Sequence, residues 1–129
     1  QKTIADAVEA TRYLNKHVMN ICLNYGGQQE IVRAVRLIAG KVLQSELEIG
    51  DIDEKAVAEH LYTAGLPPVD LMIRTSGEYR LSNYLLWQNA YAEFIFPKVH
   101  WPDFDRGALL ACLQEFARRD RRFGGLKNE

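Results

Sequence analysis

The sequence predicts an α/β fold, namely half of an open, mostly parallel sheet flanked by helices. Apolar runs over residues 17–25, 69–74 and 92–96 are short and nearly continuous. Such runs are typical of strands that are covered on both faces, as in parallel sheets. Helical patterns lie between them, and strands separated by helices favour parallel βαβ units. A complete doubly wound sheet has roughly five or six strands, so we expect half of a single domain.

The composition is that of one globular domain. Hydrophobic residues make up 47% of the 129 residues and charged residues 26%, which excludes an intrinsically disordered chain. The net charge of −1 excludes bulk attraction to nucleic acid or an acidic membrane, so anion binding must depend on a local cluster. Cys22 and Cys112 lie in apolar segments, which indicates buried free thiols in a reducing compartment. No apolar run reaches the roughly 20 residues of a membrane-spanning helix.

The first half of the chain is predicted to contain a helix, a strand and a second helix. Apolar residues recur every three or four positions over residues 2–16, as in an amphipathic helix. The strand over 17–25 follows, and Gly26-Gly27 ends it. A second helical pattern then runs through residues 31–42.

The second half is predicted to contain two strands and three helices. Asp53 is a suitable N-cap for a short helix that runs through Leu61 and ends before Gly65. The remaining elements are a strand over 69–74, a polar loop over 75–83, a helix over 84–91, a strand over 92–96, a capping turn over 101–105 and a final helix with its apolar face over 109–117.

Loops at two predicted strand ends carry residues that suit an anion. Ligands of open α/β sheets bind outside the carboxyl ends of the strands. The first loop, 24–27, contains Gly26-Gly27 directly before a helix, whose N-terminus offers free N–H groups and the positive end of its dipole. The signal is weak by itself, because a pair of glycines at a strand–helix junction is common turn chemistry, and the turn alone is the favoured interpretation.

The second loop, residues 74–83, is the stronger candidate. It contains Arg74, Arg80 and Ser82, and guanidinium groups and hydroxyls together suit a phosphate or diphosphate. The alternative is a solvated loop in which Arg74 pairs with Glu78, and Ser82 or Asn83 only caps the following helix.

Glu93 is an acidic residue within the apolar and aromatic stretch 91–96. A buried carboxylate there must be paired, hydrogen-bonded or bound to a metal; alternatively, the side chain points to water. Mg²⁺ typically takes one or two carboxylates together with substrate phosphates, so one acid does not make a metal site.

The basic terminus, residues 118–122, has two interpretations. Cations at a helix C-terminus are favoured by the helix dipole. Alternatively, the segment is an arginine arm, ending in Gly124-Gly125, that reaches a phosphate.

Several of these segments occur together in one known family. In order, they are NYGG at 24–27, DLMIRTSGE at 70–78, RLSNYLLWQ at 80–88, YAE at 91–93, WPDF at 101–104 and RRFGG at 121–125. This set resembles the C-terminal half of the cis-prenyltransferases, in particular their bacterial undecaprenyl diphosphate synthase group, and it covers nearly the whole chain.

The resemblance implies that isopentenyl diphosphate condenses with an allylic diphosphate such as farnesyl diphosphate, with Mg²⁺, to build a cis-polyprenyl diphosphate. By position in these motifs, Arg74, Arg80 and Ser82 would bind isopentenyl diphosphate, and Leu81 would supply loop backbone. Glu93 would be the residue associated with Mg²⁺.

The resemblance also implies a homodimer. Arg122 and Gly124 match an arginine-x-glycine tail that contributes to the partner subunit's diphosphate site, and residues 87–96 would lie near the interface. A cytoplasmic location is implied, with peripheral association at the membrane left open because the product is a membrane lipid. No role for nucleic acid is implied.

The chain departs from the family pattern at three places. Tyr79 stands where relatives often carry a His near the metal, and Ser76 stands where others have Gly. The family's Asp-Gly-Asn-Gly-Arg-Trp phosphate loop, with its catalytic Asp, is not found in this sequence. Because the chain also begins at Gln1 rather than Met, we expect a processed or partial protein with no catalytic residue of its own, inactive without the N-terminal half.

Two other functions remain open at this point. The chain could be a non-catalytic accessory subunit that lends its tail to a catalytic partner, although such a chain would not need Arg74, Arg80 and Ser82. It could also be a general α/β phosphate-binding fragment without prenyl chemistry.

Overall fold

The computed structural model describes residues 2–14 and 16–120, with only the backbone of Lys2. Within these residues the elements, in chain order, are helices α1 (Lys2–Thr11), α2 (Gly27–Leu43) and α3 (Glu54–Ala58), strands β1 (Leu71–Ile73) and β2 (Glu93–Ile95), and helix α4 (Arg106–Ala117). Short 3₁₀ turns occupy Ile49–Asp51 and Trp101–Asp103. None of the helices in this part of the chain is long and apolar enough to cross a membrane.

The two strands form a parallel, open sheet, which confirms the predicted α/β class. Leu71 lies opposite Glu93, and Ile73 lies opposite Ile95. The Arg74 N–H extends the ladder by donating to the Ile95 carbonyl over 3.0 Å. Helix α4 packs against β2, and α2 packs against α3. The carboxyl end of the sheet therefore opens into the loop that starts at Arg74.

The predicted strand over 17–25 is wrong, because the structure contains no strand there. Its apolar side chains are exposed, with Val18 at 71%, Met19 at 86% and Ile21 at 63% of full exposure. A strand forms only where a neighbouring edge accepts its N–H and C=O groups. The edges of the β1–β2 pair in the described residues make no such ladder with this segment.

The predicted helix over 84–91 is also wrong, because this segment folds as successive turns. Asn83 and Leu85 have φ angles of 63° and 45°, in the left-handed region. A right-handed helix cannot start through such residues, whatever the spacing of its apolar side chains. The first helix is shorter than predicted, since α1 ends at Thr11, whose hydroxyl donates to the Ala7 carbonyl over 3.0 Å.

Aspartate side chains cap two helices, as the sequence predicts. Asp53 accepts the Ala56 N–H over 2.7 Å at the start of α3, and Asp105 accepts the Ala108 N–H over 2.8 Å at the start of α4. Each cap contributes about 1 kcal/mol. Local chemistry alone therefore determines where these two helices begin.

Candidate anion-binding site

The arginine loop, residues 74–83, begins where β1 ends and runs beside the segment that follows β2. The Ser76 N–H donates to the Val99 carbonyl over 2.8 Å, and the Gly77 N–H donates to the Pro97 carbonyl over 3.0 Å. Ser76 and Gly77 have φ angles of 68° and 62°, so the chain turns sharply at this point. The first half of the loop is thus held to the carboxyl end of the sheet.

The Arg74 guanidinium joins the two ends of the loop. Its Nη1 atom donates to the Ser82 hydroxyl over 3.1 Å and also donates to the Arg80 carbonyl oxygen. Arg74 is half-buried, whereas Arg80 and Ser82 are exposed. The three residues that the sequence analysis singled out are therefore brought together on one surface.

Glu78 pairs with Arg80 and not with Arg74, contrary to the alternative raised from the sequence. The Arg80 side chain keeps 63% of its full exposure and that of Glu78 keeps 38%. Ion pairs this exposed are worth at most about 1 kcal/mol. An incoming phosphate can therefore replace the Glu78 carboxylate as the partner of Arg80 at little cost.

Leu81 forms a turn within the loop through its backbone carbonyl. Its side chain is half-buried, and its carbonyl accepts the Tyr84 N–H over 3.1 Å. This turn directs the chain from the loop toward α2.

Asn83 links the arginine loop to the N-terminus of α2. Its backbone carbonyl accepts the Gly27 N–H over 2.7 Å, and its Oδ1 accepts the Gln28 N–H over 2.8 Å. Its Nδ2 donates to Gln29 Oε1 over 3.0 Å. The sequence suggests Asn83 as a cap for the helix that directly follows it, but it caps α2. Two N–H groups at the α2 N-terminus are thereby occupied by protein and not open to an anion.

Gly26 and Gly27 allow the close approach of these two segments. A Cβ on Gly27 would lie 2.9 Å from Leu86 Cγ and 3.2 Å from the Leu86 amide nitrogen. A Cβ on Gly26 would lie 2.8 Å from Asn83 Nδ2. The glycine pair therefore serves packing between the two loops, which neither interpretation of the sequence identified.

A buried carboxylate, Glu30, lies beneath this junction and was missed by the sequence analysis. It is 1% exposed and accepts the Tyr62 N–H over 2.6 Å, Gln88 Nε2–H over 3.1 Å and the Tyr25 hydroxyl. Burial and the Glu30 carboxylate raise the pKa of Tyr25 well above its ordinary value. An acidic residue in the first turn of a helix is so common that no sequence signal marks it.

Glu93 lies apart from the arginine loop. As the first residue of β2 it sits at the amino end of the sheet, whereas Arg74 follows the carboxyl end. Its carboxylate accepts a 2.8 Å hydrogen bond from Arg119 Nη1, and Arg119 also pairs with Glu115. These two carboxylates raise the pKa of Arg119. From the sequence, Arg119 belongs to the basic terminus, and no local signal identifies it as the partner of Glu93.

Two candidate residues, Arg122 and Gly124, lie outside the described residues. Within residues 2–14 and 16–120, no group of three or more His, Cys, Asp or Glu side chains could hold a metal ion. Glu93 therefore offers a single carboxylate, from a side chain at 28% of full exposure.

Comparison with known proteins gives consistent matches over almost the whole chain. A profile of the family described as putative undecaprenyl diphosphate synthase matches residues 1–124. The ditrans,polycis-undecaprenyl-diphosphate synthase ((2E,6E)-farnesyl-diphosphate specific) of Lactiplantibacillus plantarum is 47% identical over 131 residues, covering 99% of this chain and 51% of the relative. The tritrans,polycis-undecaprenyl-diphosphate synthase (geranylgeranyl-diphosphate specific) of Methanocaldococcus jannaschii is 50% identical over 126 residues, covering 96% and 45%. The chain thus spans about half the length of these relatives.

Solved structures show the same similarity. Lavandulyl diphosphate synthase from Lavandula x intermedia, in complex with dimethylallyl diphosphate, superposes with a TM-score of 0.82 at 38% identity, over 96% of this chain and 55% of that one. A probable undecaprenyl diphosphate synthase from Campylobacter jejuni superposes with a TM-score of 0.66 at 31% identity, over 96% and 57%.

Proposed function

Because the chain belongs to the cis-prenyltransferase family, we propose that it forms the half of a prenyl diphosphate synthase that holds isopentenyl diphosphate. The observation that carries this proposal is the Arg74 guanidinium, which bonds the Arg80 carbonyl and the Ser82 hydroxyl. It thereby holds the backbone of Arg80 and the hydroxyl of Ser82 beside its own guanidinium at the carboxyl end of a parallel strand, the place where α/β sheets bind ligands.

The reaction proposed is the condensation of isopentenyl diphosphate with an allylic diphosphate. A carbon–carbon bond forms, the allylic diphosphate group leaves with its bonding electrons, and the isopentenyl unit loses a proton. In this chain, Arg74 and Arg80 neutralise the diphosphate of the isopentenyl substrate and Ser82 donates a hydrogen bond to it. A guanidinium suits this task because its planar donors match phosphate oxygens in pairs.

Arg80 is the residue best placed to reach the substrate first. Its side chain is exposed and its carboxylate partner, Glu78, lies at the surface. On binding, the diphosphate takes the place of Glu78, while Arg74 stays in the loop and keeps Ser82 in position.

Glu93 is proposed to contribute one ligand to Mg²⁺. A carboxylate oxygen is the type of donor that Mg²⁺ prefers, and substrate phosphates usually complete its coordination. When bound, the ion would stabilise negative charge on the departing diphosphate. Before the ion binds, Arg119 holds the Glu93 carboxylate in a fixed orientation.

The contributions of Arg122 and Gly124 to a partner subunit in a homodimer also remain proposals. The catalytic aspartate is expected in the part of the relatives that this chain does not match.

The test uses a chimera in which this chain replaces the matching half of the Lactiplantibacillus plantarum relative. We expect incorporation of radiolabelled isopentenyl diphosphate into polyprenyl product, with farnesyl diphosphate and Mg²⁺ present. Arg80→Ala should lower kcat/KM for isopentenyl diphosphate by roughly 100-fold, since a lost charge-assisted contact costs about 3 kcal/mol.

Arg36→Ala is the matched control, because Arg36 is an exposed arginine of α2 outside the loop. It should leave the rate unchanged. A chimera that folds but makes no product, or an Arg80→Ala variant with full activity, would contradict the proposed function. An inactive chain that restores product formation to a separate catalytic prenyltransferase subunit would instead favour the accessory role.

A further inference from the structure

The second half of the arginine loop depends on Asn83 for its attachment to a regular element. The first half is tied to the segment after β2 through the N–H groups of Ser76 and Gly77. The second half contains Arg80 and Ser82, and it meets α2 through the backbone and side chain of Asn83. The position of the diphosphate-binding groups is therefore coupled to α2, whose residues 27–29 are more than 50 positions away in sequence.

The backbone at Ser82 and Asn83 adopts a conformation that is unfavourable without support from neighbouring residues. Ser82 and Asn83 have consecutive φ angles of 50° and 63°. Left-handed backbone is unfavourable for a residue with a side chain, though asparagine tolerates it better than most. A serine in this conformation persists only where its surroundings impose it. The hydrogen bonds of the adjacent Asn83 provide that constraint.

The α2 segment that Asn83 binds is held by a buried hydrogen-bond network. Glu30 is fully buried one turn into α2 and accepts hydrogen bonds from Tyr62, Gln88 and Tyr25. The Tyr25 ring packs edge-on against the Tyr84 ring, with 5.6 Å between centroids. The Glu30 hydrogen bonds and the Tyr25 ring contact thus hold the α2 N-terminus in place, so α2 can fix the position of the loop.

We propose that Asn83 is a positioning residue for the isopentenyl diphosphate site. By capping α2, it fixes the left-handed turn at Ser82, which keeps the Ser82 hydroxyl 3.1 Å from Arg74 Nη1. It acts through Ser82 and Arg74 and does not touch the substrate. This inference rests on the proposed function, because it assigns the geometry of the same site.

The test is steady-state kinetics of the chimera with Asn83→Ala, Asn83→Gly and Gln29→Ala. Asn83→Ala removes both side-chain hydrogen bonds, so we expect KM for isopentenyl diphosphate to rise about tenfold. The KM for farnesyl diphosphate should stay within about twofold, since the proposal assigns only isopentenyl diphosphate to this loop. Gln29→Ala removes only the Nδ2 contact and should raise KM about threefold at most.

Asn83→Gly separates capping from backbone strain. Glycine adopts positive φ freely but has no side chain to cap α2. A rise in KM equal to that of Asn83→Ala supports positioning through the hydrogen bonds. If Asn83→Gly keeps the wild-type KM for isopentenyl diphosphate, the proposal is overturned. It is also overturned if Asn83→Ala raises the KM values for isopentenyl diphosphate and farnesyl diphosphate equally and lowers the melting temperature.

Calorimetric binding of isopentenyl diphosphate distinguishes failure of this inference from failure of the proposed function. If the wild-type chimera binds isopentenyl diphosphate and the Asn83→Ala variant binds it with the same affinity, only the role of Asn83 is refuted. A folded wild-type chimera without any binding would refute the proposed function, and the inference with it.

Discussion

At the residue scale, the two arginines of the loop have different tasks. Arg74 is half-buried, and its guanidinium bonds Ser82 and the Arg80 backbone, so it builds the loop. Arg80 is exposed, and its guanidinium meets only the surface carboxylate of Glu78 among the described ion pairs. Two arginines six residues apart thus differ in burial: Arg74 is bonded into the loop, whereas the Arg80 guanidinium is exposed.

This difference predicts a larger loss of stability on removal of the Arg74 side chain than on removal of the Arg80 side chain. Arg74→Ala should lower the free energy of unfolding by about 1–2 kcal/mol, since hydrogen bonds to a charged, half-buried group are lost. Arg80→Ala should change it by less than about 0.5 kcal/mol, because its ion pair is exposed. Urea denaturation followed by circular dichroism measures both values. Equal losses for the two variants would show that burial does not separate their roles.

At the element scale, α2 is the helix on which the candidate site is assembled. Its N-terminus accepts the Asn83 cap, its first turn carries buried Glu30, and Ala34 and Ile38 face the core further along. The glycine at its first position admits Leu86 at close range. The same helix therefore connects the core of the chain to the arginine loop.

Two glycines in α2 provide a matched comparison. Gly27→Ala would place a Cβ 2.9 Å from Leu86 Cγ, so we expect a loss of about 1–3 kcal/mol in the free energy of unfolding. Gly40→Ala meets nothing within 4 Å and should stabilise by about 0.5–1 kcal/mol through helix propensity. Thermal or urea unfolding of both variants checks the opposite signs. A neutral Gly27→Ala would mean that the two segments do not pack as closely as described.

At the scale of the whole molecule, a two-stranded sheet supports the candidate site, while an apolar segment near the start of the chain stays exposed. Residues 18–23 include four large hydrophobic side chains with at least 63% exposure. An exposed patch of this kind marks a surface that another element or chain covers. The chain also spans about half the length of its curated relatives. The arginine loop therefore forms within this chain, whereas the apolar side chains of residues 18–23 are left exposed in the described part of it.

Hydrogen exchange should distinguish the exposed segment over residues 17–24 from the packed helix α2. Amides of residues 17–24 make no described hydrogen bonds to backbone carbonyls, so they should exchange within seconds at neutral pH, whereas those of 31–42 in α2 should be protected. In the chimera, the apolar segment should gain protection as a covered strand. Mass spectrometry of peptic peptides measures both. Slow exchange of 17–24 in this chain alone would contradict the exposed conformation.

Much of the fold and part of the site follow from the sequence. The helix caps at Asp53 and Asp105 are correct because a cap depends on residues three positions apart. The gathering of Arg74, Arg80 and Ser82 also follows, since they lie within nine residues of one loop. The strand over 17–25 and the helix over 84–91 do not, because apolar spacing reports what a segment can bury and not whether a partner is present.

The sequence by itself determined the α/β class, the parallel strands, the loop that carries the candidate anion-binding groups and the family. These depend on local spacing and on short motifs. Tertiary structure alone decided that Asn83 caps α2, that Glu30 anchors Tyr25, Tyr62 and Gln88, and that Arg119 holds Glu93. Each of these contacts joins residues that local periodicity cannot pair. The physical reason is that a buried or half-buried polar group must find a partner wherever the folded chain supplies one.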